Sequence, residues 1–236
     1  MTERKYDAIV HYVMAICGGF LGVYGLVNRF NIFGSAQTAN LISIIGDLFG
    51  KNVNGAAIRI GGLLIYISAI IIPTILERKT TWRLKYLAIG VEVIGVFILS
   101  ILPTDMNPIL GLYPIFFMTA FQWTIFKGAN GYVSSTIFST NNLKQTLSAW
   151  TEYYFIDKNK EEERKEKAAK AKFFGGTMLG FHIGVFFGYF FSLRFRIQGI
   201  WFCIPILATA LVLLLLDDYR IREDKKEKIG IYREDI

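Results

Sequence analysis

The chain has 236 residues, 53% of them hydrophobic, 15% aromatic and only 19% charged, with a formal net charge of +7. A water-soluble domain of this length is usually less apolar and more charged, and here the charges crowd at 3–7, 77–85, 157–172 and 217–235 with long apolar runs between them. That pattern excludes an ordinary soluble fold, and it makes the basic excess a topology signal instead of a nucleic-acid-binding face.

In chain order, residues 8–28 form the first apolar span. It follows a charged N-terminus and shows no small-residue cleavage site, so it reads as a retained helix and not as a signal peptide. His11 stands near its cytoplasmic end, where an interfacial position is expected. Residues 30–50 carry Asn31, Ser35, Gln37, Thr38, Asn40, Ser43 and Asp47. A helix with that content does not face lipid cheaply. Spans follow at 56–76, 84–103 and 108–126, the last two separated by the short connection TDMN between Pro103 and Pro108. A second polar segment, 131–155, runs from Ser134 to Ser148 through Ser135, Thr136, Ser139, Thr140, Asn141, Asn142, Lys144, Gln145 and Thr146. The stretch DKNKEEERKEKAAKAK alternates Lys and Glu and reads as a solvated cytoplasmic helix extension. Spans at 173–193, containing His182, and at 199–216 complete the count before a charged tail. Each span is about 18–21 residues long, enough for a hydrocarbon core of about 30 Å.

The short-loop bias of Lys and Arg separates two topologies. With six spans, both termini cytoplasmic and the two polar segments entering and returning, only Arg29, Lys51, Arg59, Arg194 and Arg196 of the 26 Lys and Arg fall outside. Eight full spans put the tight basic loop of Arg78, Lys79, Arg83 and Lys85 outside. Six spans plus two re-entrant segments are therefore favoured, with fully spanning, protein-buried polar helices as the rival.

The chain also repeats itself. A single shift aligns Thr38-Ala39-Asn40-Leu41 with Thr140-Asn141-Asn142-Leu143 and Asn28 with Asn130; beyond the charged insert, Gly61-Gly62 aligns with Gly175-Gly176. Residues 1–103 read as a first repeat, 104–216 as a second carrying the insert 157–172, and 217–236 as a cytoplasmic tail. Three crossings per repeat would invert the second half relative to the first, a recurrent plan in transporters and channels.

Thr38, Asn40, Thr140 and Asn142 are residue types that cap helix starts, so a helix is expected to begin near each motif. Two such starts brought in from opposite faces would aim free N–H groups and positive dipole ends at one place. Gln37, Thr38, Asn40, Gln122, Thr140 and Asn142 are the candidate solute-binding residues. Tyr24 and Trp123 are candidate walls. The alternative is that the same hydroxyls and amides only hold helices together. Glu92 lies mid-span in LAIGVEVIGVF, where an ionised carboxylate costs about 2.5–3.5 kcal/mol on insertion scales; it is a candidate for proton coupling or a hydrogen-bonded structural carboxyl. Cys17 and Cys203 lie inside apolar runs and read as small buried residues. No metal spacing, nucleotide loop, nucleophile elbow or carboxylate pair is present, so neither a metal, a cofactor nor an enzymatic activity is expected.

The stretches GGFLGVYGLVNRFNIFGSAQTANLI and FQWTIFKGANGYVSSTIFSTNNL, with the mid-span Glu92, resemble the YoaK-type family of uncharacterised bacterial transmembrane proteins over nearly the whole chain. The family's Thr-Gly-Asn motifs read Thr-Ala-Asn and Thr-Asn-Asn here. The resemblance implies a bacterial inner-membrane protein of about six spans and no established substrate. The expected fold is thus an all-α integral membrane protein of about six transmembrane helices plus two polar, re-entrant helices in two inverted repeats. The expected function is a secondary transporter or channel for a small polar or anionic solute. The alternative is a non-transporting membrane adaptor that binds a partner through its charged insert and tail. Membrane lipid and a small polar solute are the expected partners, with no nucleic acid; a homo-oligomer stays open.

Overall fold

The computed structural model of the chain describes residues 6–29, 33, 35 and 37–234, with side chains as far as Asp224. Helix accounts for about 82% of the chain. The elements are α1 (Asp7–Asn28), α2 (Gln37–Phe49), α3 (Val53–Lys79), α4 (Leu84–Ile101), α5 (Tyr113–Ile125), the strands β1 (Gly128–Ala129) and β2 (Tyr132–Val133), α6 (Thr140–Phe155), α7 (Glu161–Phe195) and α8 (Cys203–Glu234).

Four helical stretches are long and apolar enough to cross a membrane: Asp7–Asn28, Val53–Lys79, Leu84–Ile101 and Glu161–Asp224. The last holds two helices. After α7 the chain reverses through the 3₁₀ segment Arg196–Phe202, entered at Arg196 with φ 51°, and Phe202 stacks back on Phe191 with ring centroids 3.7 Å apart. The charged insert and the fifth span are one continuous 35-residue helix.

One expectation needs correction. The fourth span is shorter than 108–126: a 3₁₀ turn at Leu110–Leu112 leads into a 13-residue α5, which at 1.5 Å per residue rises only about 20 Å. Its start is set by Asn107, whose Oδ1 accepts the N–H of Ile109 at 2.9 Å and turns the chain into the helix. The second polar segment is expected to turn helical near Thr140. It opens as a two-stranded hairpin, Gly128 opposite Val133 and Ala129 opposite Tyr132, turned by Asn130 (φ 52°) and Gly131 (φ 78°). Asn-Gly is the pair that a two-residue turn with two positive φ angles demands. Residues 134–139 then run without regular structure until α6 begins at Thr140.

Lateral packing is dominated by parallel and antiparallel pairs. On α7, Gly176, Gly180, Gly184 and Gly188 recur every fourth residue and so share one face, which lies against α1. A Cβ on Gly180 would sit 2.8 Å from the carbonyl oxygen of Tyr12, and one on Gly184 closer still to that of Ile16. Gly19 of α1 approaches the carbonyl of Phe181 in return. The rising order of these contacts makes α1 and α7 parallel. Likewise α3 and α5 are parallel: Tyr113 donates to the Ile58 carbonyl at 2.5 Å, and Gly62 lies under Phe116. α8 runs antiparallel to α1, with Cys17 beside Cys203 and Tyr24 Oη donating to Ile197 O at 3.1 Å. α4 runs antiparallel to α5, Gly95 meeting Met118. α2 packs on α3 and α6 on α7.

These contacts sort helix ends into two groups. At one end Asp7 pairs with Lys85, Arg83 and Tyr86 with Asp218, and Glu77 with Lys127. At the other, Arg29 meets Pro103, Gln198 meets Ser100, and Tyr113 meets Ile58. The apolar stretch of α1 is 72% buried against 22% for that of α3, so α1 is the central helix and α3 the most peripheral.

The short helices are inside out relative to a water-soluble protein. In α2 the buried positions are Gln37, Asn40 and Ile44, whereas Leu41, Ile42, Ile45, Leu48 and Phe49 are exposed. In α6 Asn142, Thr146 and Ala149 are buried, and Leu143, Leu147, Tyr154 and Phe155 are exposed. The motif amides Asn40 and Asn142 face protein, while Thr38, Thr140, Asn141, Lys144 and Ser148 are exposed. Exposed apolar rows of this kind mark a lipid or partner surface.

Gly184→Val is expected to lower stability by about 3 kcal/mol or more, because the added atoms meet backbone that cannot move aside. Gly90→Ala, whose Cβ meets nothing within 4 Å, should be neutral or stabilising by up to about 1 kcal/mol. Unfolding of the detergent-solubilised protein, titrated with denaturing detergent, measures both.

Candidate functional site

The two irregular segments that precede α2 and α6 meet beside the middle of α1. Ser35 Oγ donates to the carbonyl of Ile137 at 3.3 Å, and both residues are buried. Phe33 lies against Gly22 of α1 and its ring is 6.3 Å from that of Phe181 on α7. One turn along α1, Gly18 accepts the close approach of the Thr136 carbonyl and the Ile137 side chain. The bare face of Gly18 makes room for the backbone at Thr136, and that of Gly22 for the ring of Phe33. Non-helical backbone at that depth must find its partners within the protein.

The second segment is tied by two amides. Gln122 of α5 donates through Nε2 to the carbonyl of Met14 and to Thr136 Oγ1, both at 2.8 Å. Asn142, one turn into α6, donates through Nδ2 to the carbonyls of Ser135 at 2.8 Å and Phe138 at 3.0 Å, while its Oδ1 accepts from Ser134 Oγ at 2.9 Å. The first segment has a smaller set. Asn40 Nδ2 donates to Gln37 Oε1 and to the Arg59 carbonyl, both at 3.2 Å, and Asn40 Oδ1 accepts from Arg59 Nη1 at 3.5 Å. Arg59 is itself paired with Asp47 at 2.8 Å. Asn31 and the residues flanking Ser35 lie outside the described residues.

The six nominated binding residues therefore divide. Gln37, Asn40, Gln122 and Asn142 are buried and face the two segments; Thr38 and Thr140 are exposed and do not. The helices start where expected, at Gln37 and Thr140, but the motif hydroxyls and amides do not cap them. Thr38, Asn40, Thr140 and Asn142 all sit within the first turn, and Ser139, the residue before α6, makes no side-chain cap. The residues that actually touch across the two segments, Ser35, Thr136 and Ile137, precede the motifs. The sequence signal for them is a hydroxyl shortly before each motif, Ser35 ahead of Thr38 and Thr136 ahead of Thr140.

Two buried amide atoms are left over. Gln37 Nε2 and Gln122 Oε1 have no hydrogen-bond partner among the described residues. One is a donor and the other an acceptor. They are linked through the protein by the N–H of Gln37 on the Ser35 carbonyl, by Ser35 on Ile137, and by Thr136 on Gln122. Neither lines the clefts described at the ends of α4 and α8, along α7 and α8, or between α4 and α5.

Glu92 is fully buried on the other side of α1. Cys17 Sγ donates to its Oε2 at 3.2 Å and lies 3.4 Å from Cys203 Sγ, so α1, α4 and α8 meet at one carboxyl and two free thiols. Glu92 Oε1 has no partner among the described residues. The thiols, expected as ordinary apolar filling, are thus part of a polar contact. His11, expected at an interfacial depth, is buried within the protein: it stacks on Phe173 with ring centroids 5.4 Å apart, because the aromatic cluster of α7 closes over that turn of α1. His182 is exposed, Nδ1 lying 2.8 Å from the Met178 carbonyl. Tyr24 is a wall of the α1–α8 contact and not of the meeting point, and Trp123 is a half-exposed ring edge-on to Phe138. Among the described residues no group of three or more His, Cys, Asp or Glu is arranged to hold a metal ion.

Asn142→Ala is expected to cost about 2–3 kcal/mol of unfolding free energy, since it strands a buried hydroxyl and two carbonyls. Thr140→Ala, on the exposed side of the same turn, should stay within about 0.5 kcal/mol. The same denaturing-detergent titration separates them.

Neither a curated protein nor a solved structure matches the chain. A family model does, over residues 10–214, a stretch that takes in every helix of the bundle, both irregular segments and the Glu92–Cys17–Cys203 contact. The chain belongs to the family described as Protein of unknown function (DUF1275).

Proposed function

We propose that this chain is a multi-pass membrane protein of six crossings, built as two inverted repeats, that passes a small polar or anionic solute between two re-entrant segments meeting near mid-bilayer. What supports the crossing count is the sorting of helix ends: α1, α4 and α7 run from the Asp7–Lys85 end to the Arg29–Pro103 end, and α3, α5 and α8 run back. What supports the repeats is that exchanging α1, α2, α3 and α4 with α5, α6, α7 and α8 turns each main pairing into another: α1–α7 into α3–α5, α2–α3 into α6–α7, and α1–α8 into α4–α5. A contact that joins the two segments, Ser35 to Ile137, links positions separated by the same 102 residues that align the two motifs. The YoaK-type likeness rests on these same segments.

The observation that carries the transport reading is the pair of buried, unpartnered amide atoms, Gln37 Nε2 and Gln122 Oε1, on the two sides of that contact. A buried polar atom without a partner loses about 1–3 kcal/mol. A solute presenting one acceptor and one donor would recover this in an occluded state, and hydrogen bonds alone would suffice to hold it. Glu92, bonded to Cys17 of the same central helix, is the group through which protonation would bias the packing of α1 against α4 and α8. The adaptor reading is less well supported, because Lys167 pairs with Glu152 and Arg164 stacks over Tyr153, so part of the charged extension is engaged by α6. The bias of Lys and Arg in the short loops supports a cytoplasmic position for both termini.

In proteoliposomes tested against a panel of small amino, amide and carboxylate solutes, at least one is expected to move. Gln37→Ala should cut its uptake about tenfold, the factor that roughly 1.4 kcal/mol of lost hydrogen bonding produces. No movement of any solute, or uptake indifferent to Gln37 and Gln122 together, sinks the reading. For topology, a cysteine at Thr80 in a background without Cys17 and Cys203 should react with an impermeant thiol reagent only after cells are opened. Labelling of intact cells would place that loop outside and break the inverted arrangement.

A further inference from the structure

We infer that Arg29 is the binding residue of an oxyanion site at the far end of α1, and hence that the solute class is a small carboxylate or phosphate-like anion. Arg29 is the residue that ends α1, its N–H bonded to the Gly25 carbonyl, and its side chain is only 1% exposed. Nη1 donates to the Pro103 carbonyl at 2.9 Å. Nε and Nη2 have no partner among the described residues, and no described carboxylate lies within ion-pair range; Asp105, two residues past Pro103, is exposed and unpaired with it. A guanidinium does not lose its proton, so the charge stays. Removing an uncompensated charge from water is strongly unfavourable, and the negative end of the α1 dipole offsets only part of it.

The two free nitrogens are not scattered. Nε and Nη2 form one edge of the guanidinium, the edge that presents two parallel N–H groups to the two oxygens of a carboxylate or phosphate. The opposite corner is occupied by Pro103. The face is packed by Gly111: a Cβ there would lie 2.7 Å from Nε, 2.8 Å from Cζ and 3.0 Å from Cδ, so only glycine lets the chain lie flat on the group. The plane is thus clamped by Pro103 and Gly111 with the two-pronged edge left free. Arg29 also stands six residues before Ser35 in the chain, which ties the charge to the proposed path. The inference rests on the transport reading for that consequence only; the binding itself stands apart from it. A soluble anion and the phosphate of an anionic lipid share the required chemistry.

Purified, delipidated protein is tested by its intrinsic tryptophan melting curve at constant ionic strength, with sodium acetate, sodium phosphate or phosphatidylglycerol against chloride and phosphatidylcholine controls. Acetate or phosphate, about a hundredfold above half-saturation, is expected to raise the melting temperature by at least about 4 °C. Arg29→Lys, which keeps the charge and loses the fork, should weaken half-saturation at least about tenfold. Arg29→Met should abolish the shift while melting no lower than the anion-free wild type, because it removes a charge that nothing offsets. A shift with phosphatidylglycerol but with neither free anion, lost in Arg29→Met, assigns the edge to a lipid headgroup and upholds the oxyanion site. No shift with any of the three, or shifts that persist unchanged in Arg29→Met, overturns it. Binding without flux in proteoliposomes leaves the site standing and ends the transport reading; flux that ignores Arg29→Met, with no anion shift, does the reverse.

Discussion

The structure depends on how closely α7 can approach α1. Between helices in lipid there is little hydrophobic drive, so association comes from close packing and polar contacts. Here the closeness comes from four glycines spaced one turn apart on α7 and from Gly19 on α1. With side chains removed from both faces, carbonyls of one helix lie against the backbone of the other. α1 is thereby held in the centre of the bundle. Everything else in the site leans on it: the first segment on Gly22, the second on Gly18 and the Met14 carbonyl, Glu92 on Cys17, and the C-terminal end on Pro103 through Arg29.

A second constraint follows from placing irregular backbone deep in an apolar body. Each N–H and carbonyl released from a helix needs a partner, and lipid supplies none. The second segment meets that need locally, through Asn142 and Gln122, and is heavily bonded. In the first, Asn40 is bonded to Gln37 and to the Arg59 carbonyl, and Gln37 Nε2 has no partner among the described residues.

Charge is distributed to match. The ends of α1, α4 and α8 near the termini are laced by Asp7, Lys85, Arg83 and Asp218. The interior keeps one carboxyl, Glu92, tucked against a thiol, and the far end keeps one buried guanidinium without a counter-charge. A cation with a free edge near one face and an acid at mid-depth form an asymmetric pair that a purely structural bundle does not require.

Much of this was legible in the chain. Long apolar runs with charges confined between them specify spanning helices, because length and hydropathy are set by the bilayer and not by neighbours. The start of each short helix was legible from its Thr-x-Asn motif. The hairpin at Asn130-Gly131 was readable from its dipeptide and was not drawn. What the sequence could not reveal was which polar residue faces which neighbour. Thr38 and Asn40 differ by two positions, yet one is exposed and one buried, since about 200° of helical rotation separates them and only the surrounding helices decide which side is inside. The same holds for Cys17 beside Cys203, His11 under Phe173 and Arg29 over Gly111: partners separated by dozens to nearly two hundred positions are joined by packing alone, and it is those contacts that leave particular atoms free to bind.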